Sequence, residues 1–174
     1  MKNQSIALMI ITFLQVSCAH GYDKTVEYVD RDRFTGKWYV MAGRFTMFEK
    51  DVFNAVEKYT WNESKQRIDI DFSYNKGSFN GELKKMPQKG WIENTATNAT
   101  WKISPLWPFK FTYLVIALDS NYEWTVIGVP NQNYVWIMAR DPHLAKDKIQ
   151  EILKYIASIH YSVEDIVYVE HSEN

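Results

Sequence analysis

The chain has 174 residues and a formal charge of −1, enough for one domain with a real core and too evenly balanced to suggest nucleic acid or a polybasic membrane patch as partner. Its one cysteine, Cys18, rules out an internal disulfide, so stability rests on packing. Seven Trp, eleven Tyr and nine Phe are more bulk than a small core needs, which points to an apolar cavity or interface.

Residues 1–17 have the build of an export signal: Lys2, a mostly apolar run from Ile6 to Val16, then the small Ser17. At ~1.5 Å per residue that run covers about half of a ~30 Å hydrocarbon core, too little for a permanent membrane helix. Cys18 follows directly. Val16-Ser17-Cys18 resembles the lipobox of bacterial lipoproteins, with Gln15 where Leu is usual. The resemblance implies cleavage before Cys18, acylation of its thiol and, with Ala19 rather than Asp next, the outer membrane as destination. Several acyl chains on one cysteine anchor stably where a single chain binds only marginally. Residues 18–30 are then the lipidated N-terminus and a polar tether, and 31–174 the folded domain.

The body alternates. Ile68, Ile70, Phe72 and Tyr74 interleave with Asp69, Asp71 and Ser73, the period of a strand with one dry face. Strand-like runs also occupy 37–46, 54–61, 82–93, 99–104, 111–119, 122–129 and 134–140, separated by turn signals such as Asn75-Lys76-Gly77 and Asp119-Ser120-Asn121. Eight strands with hairpin-length connections predict an all-β, up-and-down antiparallel barrel, the closure that removes sheet edges. After Asp141-Pro142 the period changes: Ile149, Ile152, Leu153, Ile156 and Ile159 share one helical face, which predicts a C-terminal α-helix packed on the barrel. A short final strand, Asp165 to Glu170, ends the pattern.

Gly36-Lys37-Trp38 opens the first strand behind Phe34, Asp119 and Tyr122 bracket the turn between the sixth and seventh, and Arg140 closes the eighth. This order and spacing resemble the three signatures of the lipocalin family. Phe48-Glu49 and the VIALD run at 115–119 bring the chain near the bacterial outer-membrane lipoprotein lipocalins and, more distantly, apolipoprotein D. The resemblance covers nearly all of the mature chain. It implies an eight-stranded barrel in which Gly36, Trp38, Asp119, Tyr122 and Arg140 are structural closure. Chemistry agrees: a Trp ring can plug one end while an Arg stacks over it and donates to carbonyls of the incoming chain. Where the bacterial pattern runs W-Y-E-I-A-R, this chain has WYVMAGR, which predicts a bulge at Gly43.

Parity then assigns the interior. With Arg140 capping the base, Trp136 and Met138 face inward, and the matching family register adds Tyr113, Val115, Trp124 and Val126. Ala55, Glu57 and Tyr59, then Ile70, Phe72 and Tyr74, then Trp101 and Ile103 complete the lining. Each could simply fill the barrel, but together they suit an acyl chain better than a sugar or nucleotide. Glu57 is the polar exception: facing inward it is expected to pair with Arg44 or to receive an amine or choline-like head group near the mouth, and the alternative of equal weight is an exposed residue at the rim, where parity hardly matters. Burying about ten methylenes at ~0.8 kcal/mol each gains roughly 8 kcal/mol before ordering costs, an affinity of about micromolar or weaker.

No histidine falls inside a strand run, HExxH and CxxC spacings are absent, and Cys18 is spent at the terminus, so neither catalysis nor a metal or other cofactor is expected. The reading is a membrane-tethered binder of fatty acids or lysophospholipids, monomer or homodimer, with no nucleic-acid partner. The alternative is an envelope adaptor whose barrel is packed solid and whose function is its surface.

Overall fold

Alternating segments become strands here because each can dry one face against the others. A computed structural model describes residues 21–46 and 51–172; the expected signal segment, Cys18 and Phe48-Glu49 lie outside the described residues. A single-turn helix, α1 (Arg31–Phe34), leads into β1 (Gly36–Arg44). There follow β2 (Val52–Asn62), β3 (Arg67–Lys76), β4 (Leu83–Ile92), β5 (Thr100–Ser104), β6 (Phe111–Leu118), β7 (Trp124–Gly128) and β8 (Val135–Ala139). Each pairs antiparallel with the next, and β1 pairs with both β8 and β2, closing an eight-stranded barrel. Helix α2 (Lys146–Ser158) and a two-residue strand, β9 (Val167–Tyr168), complete the fold.

Two apolar clusters result. The first fills the barrel and includes Trp38, Tyr59, Phe72, Trp101, Tyr113 and Met138. The second lies between the outer face of β6 to β8 and the helix, where Ile149, Ile152 and Ile156 bury against residues such as Leu114, Val126 and Ile137. That accounts for the helical stripe seen in the sequence.

The last strand does more than extend the sheet. β1 opposes β2 only from Gly36 to Tyr39. Beyond that point β9 fills the wedge: Ala42 opposes Tyr168, Gly43 opposes Val167, and Glu170 bridges to Phe53. His171 Nε2 donates to the Val40 carbonyl at 2.9 Å, and the Ser172 amide donates to Asn54 at 2.8 Å.

Two register details correct the sequence reading. The shift in β1 lies between Val40 and Ala42, not at Gly43; Trp38 and Val40 face the interior, whereas Met41 and Ala42 face the helix side. In β7, Ile127 opposes Trp136 and Thr125 opposes Met138, so Trp124 and Val126 point outward, toward the α2 side. Directly opposed residues share a face, and here that face belongs to Thr125 and Ile127.

The start of the domain also moves. Residues expected as tether are bonded to the barrel: Tyr22 N–H donates to the Pro130 carbonyl at 2.7 Å, Val26 to Val115 at 2.9 Å and Val29 to Thr97 at 2.8 Å.

Candidate ligand-binding site

The base is built around Arg140. Its Nη1 donates to the Lys37 carbonyl at 2.6 Å, and its Nη2 to the carbonyls of Arg33, Phe34 and Thr35 at 2.7, 3.1 and 3.0 Å. The guanidinium lies 3.6 Å from the Trp38 ring centroid, and Trp38 Nε1 donates to the Phe34 carbonyl at 2.8 Å. Gly36 has φ +99 and a side chain there would meet Arg140 Nη1 at 3.3 Å, so glycine is required on both counts. Burial lowers the Arg140 pKa to about 10, partly opposed by the nearby Tyr59; the group remains a cation at neutral pH.

The incoming chain is locked to this base from two sides. Asp30 caps α1 by accepting from the amides of Asp32 and Arg33 at 2.9 and 3.1 Å. Asp119 accepts from the Asn121 amide at 2.8 Å, shaping the turn that presents Tyr122, whose hydroxyl accepts from the Asp30 amide at 2.8 Å. Arg33 stacks 4.1 Å over the Tyr122 ring. All five residues assigned to closure therefore meet at one end.

Above the plug, Phe34 packs against Trp38, Tyr59 and Trp101 with ring centroids 5.2 to 5.6 Å apart. Tyr113 stacks between Trp101 at 5.9 Å and Trp136 at 6.2 Å. Of the expected lining, Ala55, Tyr59, Ile70, Phe72, Tyr74, Trp101, Ile103, Tyr113, Val115 and Met138 are buried in this cluster, and Trp136 packs half-buried against it. The lower half of the barrel is thus occupied by the protein's own rings.

Glu57 lies deep, opposite Trp38 on one side and Phe72 on the other, and is 7% exposed. Tyr59 donates its hydroxyl to this carboxylate and lies 2.6 Å from the Tyr113 hydroxyl. Burial, and the proximity of Glu57, raise the Tyr59 pKa well above its ordinary value, so the hydroxyl stays protonated. Arg44 is not positioned for the expected pairing with Glu57. It lies six residues further along β1 than Trp38, roughly 20 Å at strand rise, and donates to the carbonyls of Asn133 and Glu164 at 2.9 and 2.7 Å.

Among the described residues, open space borders the barrel at the other end. A cavity of about 440 Å³ opens where β1, β2 and β9 meet, lined by Arg44, Phe45, Asp51, Val52, Phe53 and residues 165 and 167–170. Val169 belongs to the interior cluster and Phe45 and Val52 pack half-buried against it, so the cavity borders the barrel lining. Its size is at the lower end of small-molecule sites, ~300 to 1,000 Å³. Lys84, opposite Tyr74 on the inner face near this mouth, pairs with Glu82 at 2.7 Å. The sequence reading missed Lys84 because Lys84-Lys85 breaks the alternation, and missed Phe45, Val52 and Val169 because they stand at strand ends. Among the described residues no group of three or more His, Cys, Asp or Glu is arranged to hold a metal.

A closed eight-stranded barrel with an aromatic interior, plugged by Trp and Arg at one end, defines the class of small antiparallel calyx folds. A family model described as a lipocalin-like domain matches residues 29–171, and the chain belongs to that family. The outer membrane lipoprotein Blc of Escherichia coli (strain K12) is 26% identical over 169 residues, covering 95% of this chain and 94% of the relative. Its namesake from Vibrio cholerae serotype O1 is 24% identical over 171 residues, covering 96% and 98%. Among solved structures, insecticyanin from the tobacco hornworm Manduca sexta superposes with a TM-score of 0.66 at 15% identity over 88% of each chain.

Proposed function

We propose that this protein is a lipid-anchored lipocalin of the bacterial outer membrane that binds and carries single-chain lipids, fatty acids or lysophospholipids, without catalysis. The observation that carries the reading is an apolar inner wall that is sealed at one end by the Trp38–Arg140 plug and bordered at the other by a cavity where β1, β2 and β9 meet. Support for the location comes from relatives named outer membrane lipoprotein together with the lipobox-like Cys18 of this sequence.

The filled base limits how a ligand sits. Its tail descends only as far as the Tyr113–Trp136 stack, and its head group stays at the mouth, where Lys84 supplies a cation for a carboxylate or phosphate. At the deep end, Glu57, 7% exposed and accepting from the Tyr59 hydroxyl, offers no cation to an anionic head group that entered in the reverse direction. Fluorescence titration of the protein with palmitate and with lysophosphatidylcholine tests this. Saturable quenching, weakened about tenfold for palmitate in Lys84→Glu, a change of ~1.4 kcal/mol, is the expected result. Equal affinities in the parent and Lys84→Glu would dismiss the head-up orientation, and no saturable signal for either lipid would dismiss the function.

A further inference from the structure

The loop between β5 and β6 carries the sequence Leu106-Trp107-Pro108-Phe109-Lys110 and runs into Phe111. Its large apolar side chains are exposed: Leu106 69%, Trp107 67% and Phe109 62%, and Phe111, opposite Ile103 at the rim of the inner face, 58%. Scattered exposed hydrophobes are ordinary, but four large ones within six residues form a patch that needs an occupant. Lys110 lies beside it, its Nζ 4.2 Å from the Trp91 ring centroid and 5.8 Å from that of Trp107.

Direction of the strands fixes where this loop stands. β5 runs away from the plugged base and β6 returns toward it, so the 105–110 loop is on the mouth side, as is the β7–β8 connection. The first described residues are on that side too: Tyr22 N–H donates to the carbonyl of Pro130 in the β7–β8 connection, and Gly21 packs against Pro130. Gly21 is three residue steps from Cys18, a distance of at most ~11 Å. The point of attachment for an acyl group on Cys18 is therefore on the mouth side.

We propose that the mouth lies against the phospholipid surface, with the Leu106–Phe111 loop inserted into the same leaflet that takes the Cys18 acyl chains. Trp and Phe at the depth of the head groups, with a lysine beside them that can extend its ammonium to lipid phosphates, are the side chains such a contact uses. The function that follows is direct exchange: a single-chain lipid passes between bilayer and barrel without its tail crossing water. The shared-leaflet part rests on the proposed anchor; insertion of the loop does not.

The test separates the two. The full chain carrying Cys18→Ser, which has no acceptor for acylation, is floated with vesicles of phosphatidylethanolamine and phosphatidylglycerol. Residual vesicle binding, reduced about tenfold or more by adding Trp107→Ser and Phe109→Ser, and tryptophan quenching by brominated lipid that disappears in Trp107→Phe, are expected. Near-ultraviolet circular dichroism checks that the double variant keeps its fold; Leu106→Ser serves as the independent second variant. Equal vesicle binding with and without the aromatic substitutions, or none by either protein, overturns the proposal. So does concentration-dependent dimerisation abolished by Trp107→Ser with no effect on vesicles, which would make the patch a contact between copies. Metabolic labelling of the unmutated chain with palmitate reports on the anchor alone.

Discussion

Replacing Arg140 by alanine removes donors to the carbonyls of Lys37, Arg33, Phe34 and Thr35, a longer contact of 3.4 Å to Tyr122, and a cation stacked on Trp38. Taken one by one, four charge-assisted hydrogen bonds at ~1.5 kcal/mol and a stacking contribution of ~1 kcal/mol would total about 7. Two reductions apply: three of the acceptors share one nitrogen, and carbonyls at the end of the barrel regain water when the side chain is gone. A loss of about 3 to 4 kcal/mol is the reasoned value, or a fall in Tm of roughly 10 °C for a domain of this size. Arg140→Lys keeps the charge but not the planar fork, and about half the loss is expected. Urea unfolding followed by tryptophan emission measures both, with the slope unchanged if only stability is altered. Ligand affinity at the opposite end is expected to stay within about twofold of the parent. A loss below about 1 kcal/mol in Arg140→Ala would refute the assignment of this residue as the bolt between the incoming chain and the base.

Facing is tested by a pair of substitutions in neighbouring strands. Trp136→Ala, which removes a ring from the inner wall, is expected to weaken ligand binding about tenfold, whereas Trp124→Ala, on the helix side, is expected to cost ~2 to 3 kcal/mol of stability and leave affinity unchanged; the reverse pattern would restore the sequence-based parity. The C-terminal strand carries a pH dependence. Burial, and to a lesser extent His143, lower the His171 pKa below the ordinary 6.5 despite its hydrogen bond to Val40, so the unfolded chain takes up a proton before the folded one does. Stability and amide protection along β9 are therefore expected to fall as the pH drops from 6.5 toward the lowered value and then level off. Hydrogen exchange read at Val169, whose N–H donates to the Met41 carbonyl at 2.9 Å, checks this, and His171→Gln is expected to abolish the dependence.

Much of the fold was legible because it repeats simple periods. Ile68 to Tyr74 alternates so regularly that strand and facing follow together, and the isoleucines from 149 to 156 mark a helix with one dry side. The closure residues were reached through the resemblance of their order and spacing to the lipocalin signatures. Facing failed in β7 for a physical reason: WTVIG is covered by the barrel on one side and lies toward α2 on the other, and its one polar side chain, Thr125, is buried on the inner face with its hydroxyl donating to the Ala117 carbonyl at 3.0 Å, so polarity does not mark the outer side. The bulge in β1 was misassigned because Gly43 offers the usual mark of one, yet the extra residue is Met41, accommodated beside β8. β9 was expected as a strand, but nothing in Val167-Tyr168 announces that it wedges between β1 and β2. The facing of Glu57 was left open by the sequence between the interior and the rim; its depth is set by the pairing with Trp38, a long-range register invisible in β2 alone. The mouth, built from strand ends and a lysine pair, has no periodic signature at all.

The central claim is that the upper half of the barrel holds one single-chain lipid. Native mass spectrometry of the protein purified without detergent, then titrated with lysophospholipids and fatty acids of graded length, tests it most directly. A one-to-one adduct whose occupancy at about micromolar lipid rises with chain length, as ~0.8 kcal/mol per methylene requires, is the predicted result. No adduct at tens of micromolar lipid, well above the expected dissociation constant, would contradict it and would leave a barrel filled by its own aromatic side chains whose role is carried by its surface.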